Sequence, residues 1–302
     1  MGSTIFDQGN SGDGDHFMEI KSSATTITIS DMTIRDYDEN SHGGAIDITS
    51  GGTITFQDVH FDNNSTTSSS DDGGAVYVNS SSTVTFDRCK FTNNSVPNQS
   101  TSEGSCIYSE GTLTVQNCLF YDNTCNYSSA DGTSGDGHVY IDAGTATIVN
   151  CTFTENNAGS PLFLYDDSGT PTVVKNCLFY NNTSTNDITE SITTSPYPTV
   201  SYTYYEARTG GFNTGSETGN VTSGNVDFNN SGSDDYTIKT TSVCKNAGTA
   251  TGAPAKDFAE NDRDATPDMG CYEFVLFSWN GTTNTDWSTA SNWSTGLSLI
   301  HI

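Results

Sequence analysis

A short block, Phe-x-x-Asn, recurs along the first two thirds of the chain. It stands at Phe61 to Asn64, Phe91 to Asn94, Phe120 to Asn123, Phe153 to Asn156 and Phe179 to Asn182, with a degenerate copy at Ile34. Successive anchors from Ile34 lie 27, 30, 29, 33 and 26 residues apart. Self-similarity at such a period is the mark of a solenoid, in which one repeat makes one coil. Each repeat holds three short runs of alternating apolar and polar residues. Ala45 to Ile48, Thr53 to Phe56 and Val59 to Phe61 are followed by Ala75 to Val78, Thr83 to Phe86 and Cys89 to Phe91. Period-two alternation marks strands with one buried face. Coils stacked about 4.8 Å apart would set like residues over one another. The fold expected is all-β, a right-handed parallel β-helix with three short strands per coil. It covers residues 1–275, with irregular terminal coils from about 186.

Composition fits this reading and narrows the partners. Only 32% of residues are hydrophobic and the formal net charge is -27. Such values would suit a disordered chain, but 15 Phe and 14 Tyr argue for a packed one. A thin solenoid core needs few apolar residues per coil. Ten Lys and Arg against 37 Asp and Glu exclude nucleic acid and anionic lipid as partners. No run reaches the roughly 18 apolar residues of a membrane helix, so no membrane insertion is expected. The opening, Met1 to Phe6, lacks the pattern of an export signal.

Two ladders follow from the stacking. Cys89, Cys118, Cys151 and Cys177 occupy the position two before Phe and read as small inward fillers. Asn64, Asn94, Asn123, Asn156 and Asn182 follow the last strand, where the chain bends. Asn tolerates a left-handed backbone and can bond its amide to the next coil. We read this column as structural rather than ligand-binding.

Gly43-Gly44-Ala45-Ile46 and Gly73-Gly74-Ala75-Val76, with the Phe-x-x-Asn blocks, resemble the repeats of chlamydial polymorphic outer-membrane proteins, which are surface adhesins. The later copies, such as Gly104-Ser105-Cys106-Ile107, depart from the pattern. Further on, Asp235 to Ile238, Ser242 to Gly248, Asp262-Arg263 and Pro267 to Glu273 resemble the end of choice-of-anchor β-helix proteins of bacterial surfaces. Both resemblances imply an extracellular or bacterial outer-surface location and an adhesive role. In the second, Cys244 and Cys271 replace positions that are commonly Ala; they read as a disulfide in an oxidising compartment or as two buried thiols. Residues 276–296, with Trp279, Trp287 and Trp293, resemble the start of a short second β-domain. The tail, 297–302, matches a translated sequencing adaptor and is read as an artefact.

Catalytic signals are absent. The five His show no metal-ligand spacing, and no Ser-His-Asp or Cys-His signature stands out. No cofactor is expected. Calcium is conceivable at Asp71 and Asp72, or at Asp131 and Asp136, where carboxylates cluster in loops. Insertions at 65–72, 95–103 and 126–137 leave one corner and are the first candidate for contact with a polysaccharide or other surface ligand. The basic residues are scattered, and Arg88 and Lys90 are expected outward in solvent. The first reading is a structural or adhesive protein. A polysaccharide lyase or glycosidase on the same scaffold is the alternative. A third reading rests on the outward pairs Thr26/Thr28, Thr53/Thr55, Thr83/Thr85, Thr112/Thr114 and Thr145/Thr147, which resemble the Thr arrays of ice-binding solenoids. Against it, Thr is simply a good exposed strand residue.

Overall fold

A computed structural model describes residues 4–9, 14–23, 25–68, 70–96, 102–125, 137–165, 171–192, 195–210 and 217–276, with 283, 286, 288, 289 and 292. Within these the chain coils through three parallel sheets. The first, of eight strands, runs from Met18–Ile20 through Ile46–Ile48, Val76–Val78, Ile107–Ser109, Gly137–Ile141, Ser160–Leu164 and Ile188–Glu190 to Arg208–Thr209. The second, of twelve strands, is bent into two limbs, and the long strands Thr25–Arg35 and Gly52–Asp62 pass through both. In later coils the limbs are separate strands, such as Thr83–Asp87 and Lys90–Thr92. The third sheet is a narrow column of two-residue strands: Asp38–Glu39, Ser65–Thr66, Ser95–Val96 and Thr124–Cys125. The three expected strands are therefore present, two of them as limbs of one sheet, with a short fourth added.

Register is held coil after coil. Phe61 pairs with Phe91, Phe91 with Phe120, Phe120 with Phe153 and Phe153 with Phe179. All five rings are fully buried. Their centroids are 4.8, 4.7, 4.4 and 4.7 Å apart and their planes nearly parallel, within 11°. Rings repeating at the coil rise are spaced wider than van der Waals contact between carbons, about 3.5–4.0 Å, so they are displaced sideways, the arrangement their quadrupoles favour.

Two left-handed corners shape each coil. One lies between the limbs, at Asp31, Asp58, Arg88, Asn117, Asn150 and Asn176, with φ of 51° to 58°. The other, at Asp36, Asn63, Asn93, Asp122, Glu155 and Asn181, has φ of 54° to 63°. The second corrects the expectation for the Asn column. The left-handed residue is the one before each column member. The column itself (Asn64, Asn94, Asn123, Asn156) turns inward and is fully buried, while Asn182, at the last coil, is half-buried. A Gly-Gly corner joins the narrow sheet to the first: Gly43 has φ +71°, and a Cβ on Gly44 would lie 2.2 Å from the Gly74 carbonyl oxygen.

Coiling ends earlier than expected. The last parallel pairings along the chain are the bridges of Tyr204 to Leu178 and to Val221. Residues 225–275 do not add irregular coils; they lie as a strap along the outside of the second limb. Their hooks are polar. Asn150 Nδ2 donates to the carbonyls of Asp268 (3.1 Å) and Gly270 (3.3 Å), and Asn176 Nδ2 to that of Thr249 (2.8 Å). Arg263 reaches Asn117 Oδ1 at 3.0 Å and Glu273 Oε2 at 3.1 Å. Under the strap, outward Leu119, Tyr121 and Leu178 are buried against Tyr236, Cys271, Met269 and Cys244. The physical reason is composition: past residue 225 the Phe-x-x-Asn period is gone, and buried Asp257, Asp268, Arg263 and Glu273 bond the strap to itself and to the corner.

The Asn column is a test of register. Asn123 Oδ1 accepts from Asn94 N (3.0 Å) and Nδ2 (3.1 Å), while its own Nδ2 donates to Phe91 O (3.0 Å) and Asn156 Oδ1 (2.9 Å). Asn123→Ala strands these buried partners and should lower stability by about 3 kcal/mol, read from urea unfolding. A loss below about 1 kcal/mol, the worth of one ordinary hydrogen bond, would show that the column does not hold the coils.

Candidate functional site

The first sheet carries the most unusual outer face. Alternation sends Asp47, Tyr77, Tyr108, Tyr140 and Phe163 outward from the middle of successive strands, in register. Tyr77, Tyr108, Tyr140 and Phe163 stack with centroids 5.5, 5.3 and 4.9 Å apart and planes within 7°. His42 closes the lower end, 4.6 Å from Tyr77. Tyr77 is half-buried and the other three rings are buried.

Carboxylates flank the column on both sides. Glu110 and Asp142 follow their strands, while Asp72 and Glu103 precede theirs. Tyr77 Oη donates to Glu110 Oε1 at 3.0 Å, one coil on. Asp142 and Glu103 are the carboxylates that bear on the Tyr108 and Tyr140 hydroxyls. Burial raises the affinity of all three phenols for their protons, so they stay donors. Burial also pushes Asp72 up to about 7, helped by Asp71, Asp142 and Glu110 and opposed by the Glu103 N–H it accepts at 2.8 Å. Asp47 is pushed to about 6, again chiefly by burial. Asp142 is raised, chiefly by burial, with the neighbouring Tyr108 hydroxyl opposing it. His42 Nδ1 accepts the Asp72 N–H at 2.9 Å. In that tautomer its 3.6 Å approach to Asp72 Oδ2 is not an ion pair. The strip thus offers aligned phenols and carboxylates of graded acidity, the groups that bind the hydroxyls of a polyol.

The sequence candidates fall as follows. Asp72 belongs to the strip, with Asp71 beside it; Asp131 and Asp136 lie outside the described residues. No group of three His, Cys, Asp or Glu side chains among the described residues is placed to hold a metal ion. Cys89, Cys118, Cys151 and Cys177 form a fully buried column. Each Sγ meets a carbonyl of the preceding coil at 3.3 to 3.6 Å. Burial pushes Cys118 and Cys177 well up, so both remain thiols. Cys244 and Cys271 are both buried and free. Of the two readings the structure has the buried thiols: they pack in separate clusters, Cys244 with Leu178 and Tyr204, Cys271 with Leu119 and Tyr121. Arg88 is not solvated as expected, because the strap side is closed. Its guanidinium bonds Asp58 at 2.7 Å and Asp87 at 2.9 Å. Lys90 lies 4.7 Å over the Tyr121 ring.

The tyrosine column was not read from the sequence. Its signal is an outward aromatic in each of Val76–Val78, Ile107–Ser109, Gly137–Ile141 and Ser160–Leu164, a shorter column than that of the inward Phe residues. The graded acids make a pH prediction. Between about 4 and 7 the folded state holds the Asp72 proton that an unfolded Asp, near 3.8, has released. Asp72 therefore favours folding at the acid end, and that contribution declines up to pH 7 and stays flat above. The stability gain of Asp72→Asn over wild type should grow from pH 4 to 7 and then level off. Urea midpoints at several pH values measure it; a difference independent of pH would show that Asp72 is not raised.

A family model described as right handed beta helix region matches residues 2–140. No curated protein and no solved structure matches the chain. No helix among the described residues is long and apolar enough to cross a membrane. With the stacked parallel coils of its three sheets, the chain has the fold of a right-handed β-helix.

Proposed function

We propose that this is a non-enzymatic β-helix of the cell exterior, adhesive in role, that holds a neutral polysaccharide along the tyrosine–carboxylate strip. The observation that carries the reading is the strip itself: stacked phenols flanked by Glu110, Asp142 and Glu103, with the Tyr77 hydroxyl bonded to Glu110. Neutral sugar hydroxyls can donate to those carboxylates, whereas a uronate would be repelled by them and by the net charge of -27.

The charge balance also speaks against a lyase, which needs a cation to meet the substrate carboxylate. Seven of the ten Lys and Arg are ion-paired: Lys21, Arg35, Arg88, Arg208, Lys239, Lys256 and Arg263. Lys90 and Lys245 lie over aromatic rings, and Lys175 donates to the Thr251 carbonyl. A panel of neutral and uronic polysaccharides in affinity electrophoresis tests the reading. Neutral glycans should retard the protein, with about tenfold weaker retention for Glu110→Gln, the worth of one charged hydrogen bond. Retardation by uronates alone, or by nothing, would end the proposal. Release of reducing ends that disappears in Asp72→Asn would replace binding by hydrolysis.

A second reading rests on a different face. The Thr pairs stand in register through five coils on the first limb, Thr26 over Thr53, Thr83, Thr112 and Thr145, and Thr28 over Thr55, Thr85, Thr114 and Thr147. A neutral lattice of hydroxyls and methyls repeating at the coil rise suits ice. Ice crystals grown in the protein solution should then show faceting, and Thr85→Lys should abolish it; rounded crystals with wild-type protein would exclude this reading.

A further inference from the structure

The strap holds a cleft of about 190 Å³, lined wholly by its own residues. Three segments meet there: the hairpin of Phe228–Asn230 and Asp235–Ile238, the loop after Asp257, and the run from Tyr272 to Val275. Asn229, Thr237 and Asn261 supply polar groups, Tyr272 and Phe274 supply rings, and exposed Ala259 stands at the rim.

The chemistry of the lining is specific. Asn261 is fixed by two bonds to Asp257, from its N at 2.7 Å and its Nδ2 at 3.0 Å. Its Oδ1 has no partner among the described residues. Asn229 Nδ2 donates to Thr237 Oγ1 at 2.8 Å, and its Oδ1 is likewise uncommitted among them. Glu273 brings no free charge, since Arg263 Nη1 (3.1 Å) and the Asp268 N–H (3.1 Å) meet its carboxylate. Lys245 covers one face of Phe274 from 4.4 Å. The volume corresponds to about six waters at some 30 Å³ each, room for one small ring and too little for a drug-sized ligand.

We propose that this cleft binds a single neutral pyranose, its apolar face on the aromatic rings and its hydroxyls donating to the Asn229 and Asn261 carbonyls. Aromatic rings with a few fixed polar groups are how small polar ligands with one apolar face are oriented. The site is separate from the strip on the first sheet, so either can fail without the other.

Saturation-transfer NMR on the full chain tests it, with the methyl glycosides of glucose, galactose and N-acetylglucosamine as probes. At least one should receive transfer. Ala259→Trp, which fills the cleft from an exposed position, should cut that signal at least tenfold with an unchanged melting temperature, and Asn229→Ala should reduce it severalfold. Tyr77→Ala, on the strip, should leave it intact. No transfer from any of the three, or transfer undiminished in Ala259→Trp, overturns the proposal. If Ala259→Trp does not fold, undiminished transfer in Asn229→Ala overturns it. Loss of the signal in Tyr77→Ala would place the sugar on the strip and likewise overturn it.

Discussion

The buried amide column is the interaction on which the rest of the molecule depends. A parallel solenoid has no covalent device to keep coil n over coil n+1, and repeats of 26 to 33 residues leave room for slippage. Each inward Asn removes that freedom. Its Oδ1 accepts two N–H groups from the coil before, and its Nδ2 donates to the coil after and to a carbonyl behind, as with Asn94 toward Asn123 and Phe61. A buried amide that missed its partners by one residue would leave several polar groups unpaired, at about 1–3 kcal/mol each. A shift would also turn every inward side chain outward. Register is thus fixed by the cost of error more than by the gain of the bonds. Insertions of any length can then leave at the same corner without disturbing the stack.

That fixed register makes the left-handed corner between the limbs into a docking rail. Asn117, Asn150 and Asn176 present their amides at equal spacing on the outside, and the strap uses all three. Buried Asp268 receives the Asn246 N–H at 2.6 Å, and Asp257 receives those of Ala259, Asn261 and Glu273 at 2.7 to 2.8 Å. The segment Pro267 to Glu273 therefore has structural work: it ties an otherwise irregular stretch to the rail. It also explains outward Leu119, Tyr121 and Leu178, which on a bare second limb would be an exposed apolar patch.

How much of this was legible follows from where the information sits. The Phe and Cys columns, the coil and the three strands can be read because period and alternation are local properties of the chain. The left-handed residue was misplaced by one position, from Asn64 to Asn63, because adjacent Asn residues look equally fit for it; only burial separates their roles. The strap was invisible for a different reason. Its partners lie 73 to 146 residues away, as with Asn176 to Thr249 and Arg263 to Asn117, and no periodicity encodes such pairs. The solvated role expected of Arg88 failed on the same ground: nothing local shows that Glu260 will come within 3.7 Å of it. For the strip, Asp72 was singled out as a loop carboxylate, yet its environment depends on Asp142 and Glu110 from later coils.

The strip also differs in kind from the inward ladders. An inward Phe column is accounted for by burial alone, since each ring removes a large apolar surface from water. The outward column buries Tyr108, Tyr140 and Phe163 as well, but it does so beside carboxylates, and Asp47, Asp72 and Asp142 are held where burial disfavours their charge. A face that keeps strained acids beside fixed phenols over three consecutive coils, with Phe163 extending the stack on the next, is spending stability on something other than folding. That imbalance, more than the presence of any one residue, distinguishes the strip from the remaining surface of the helix.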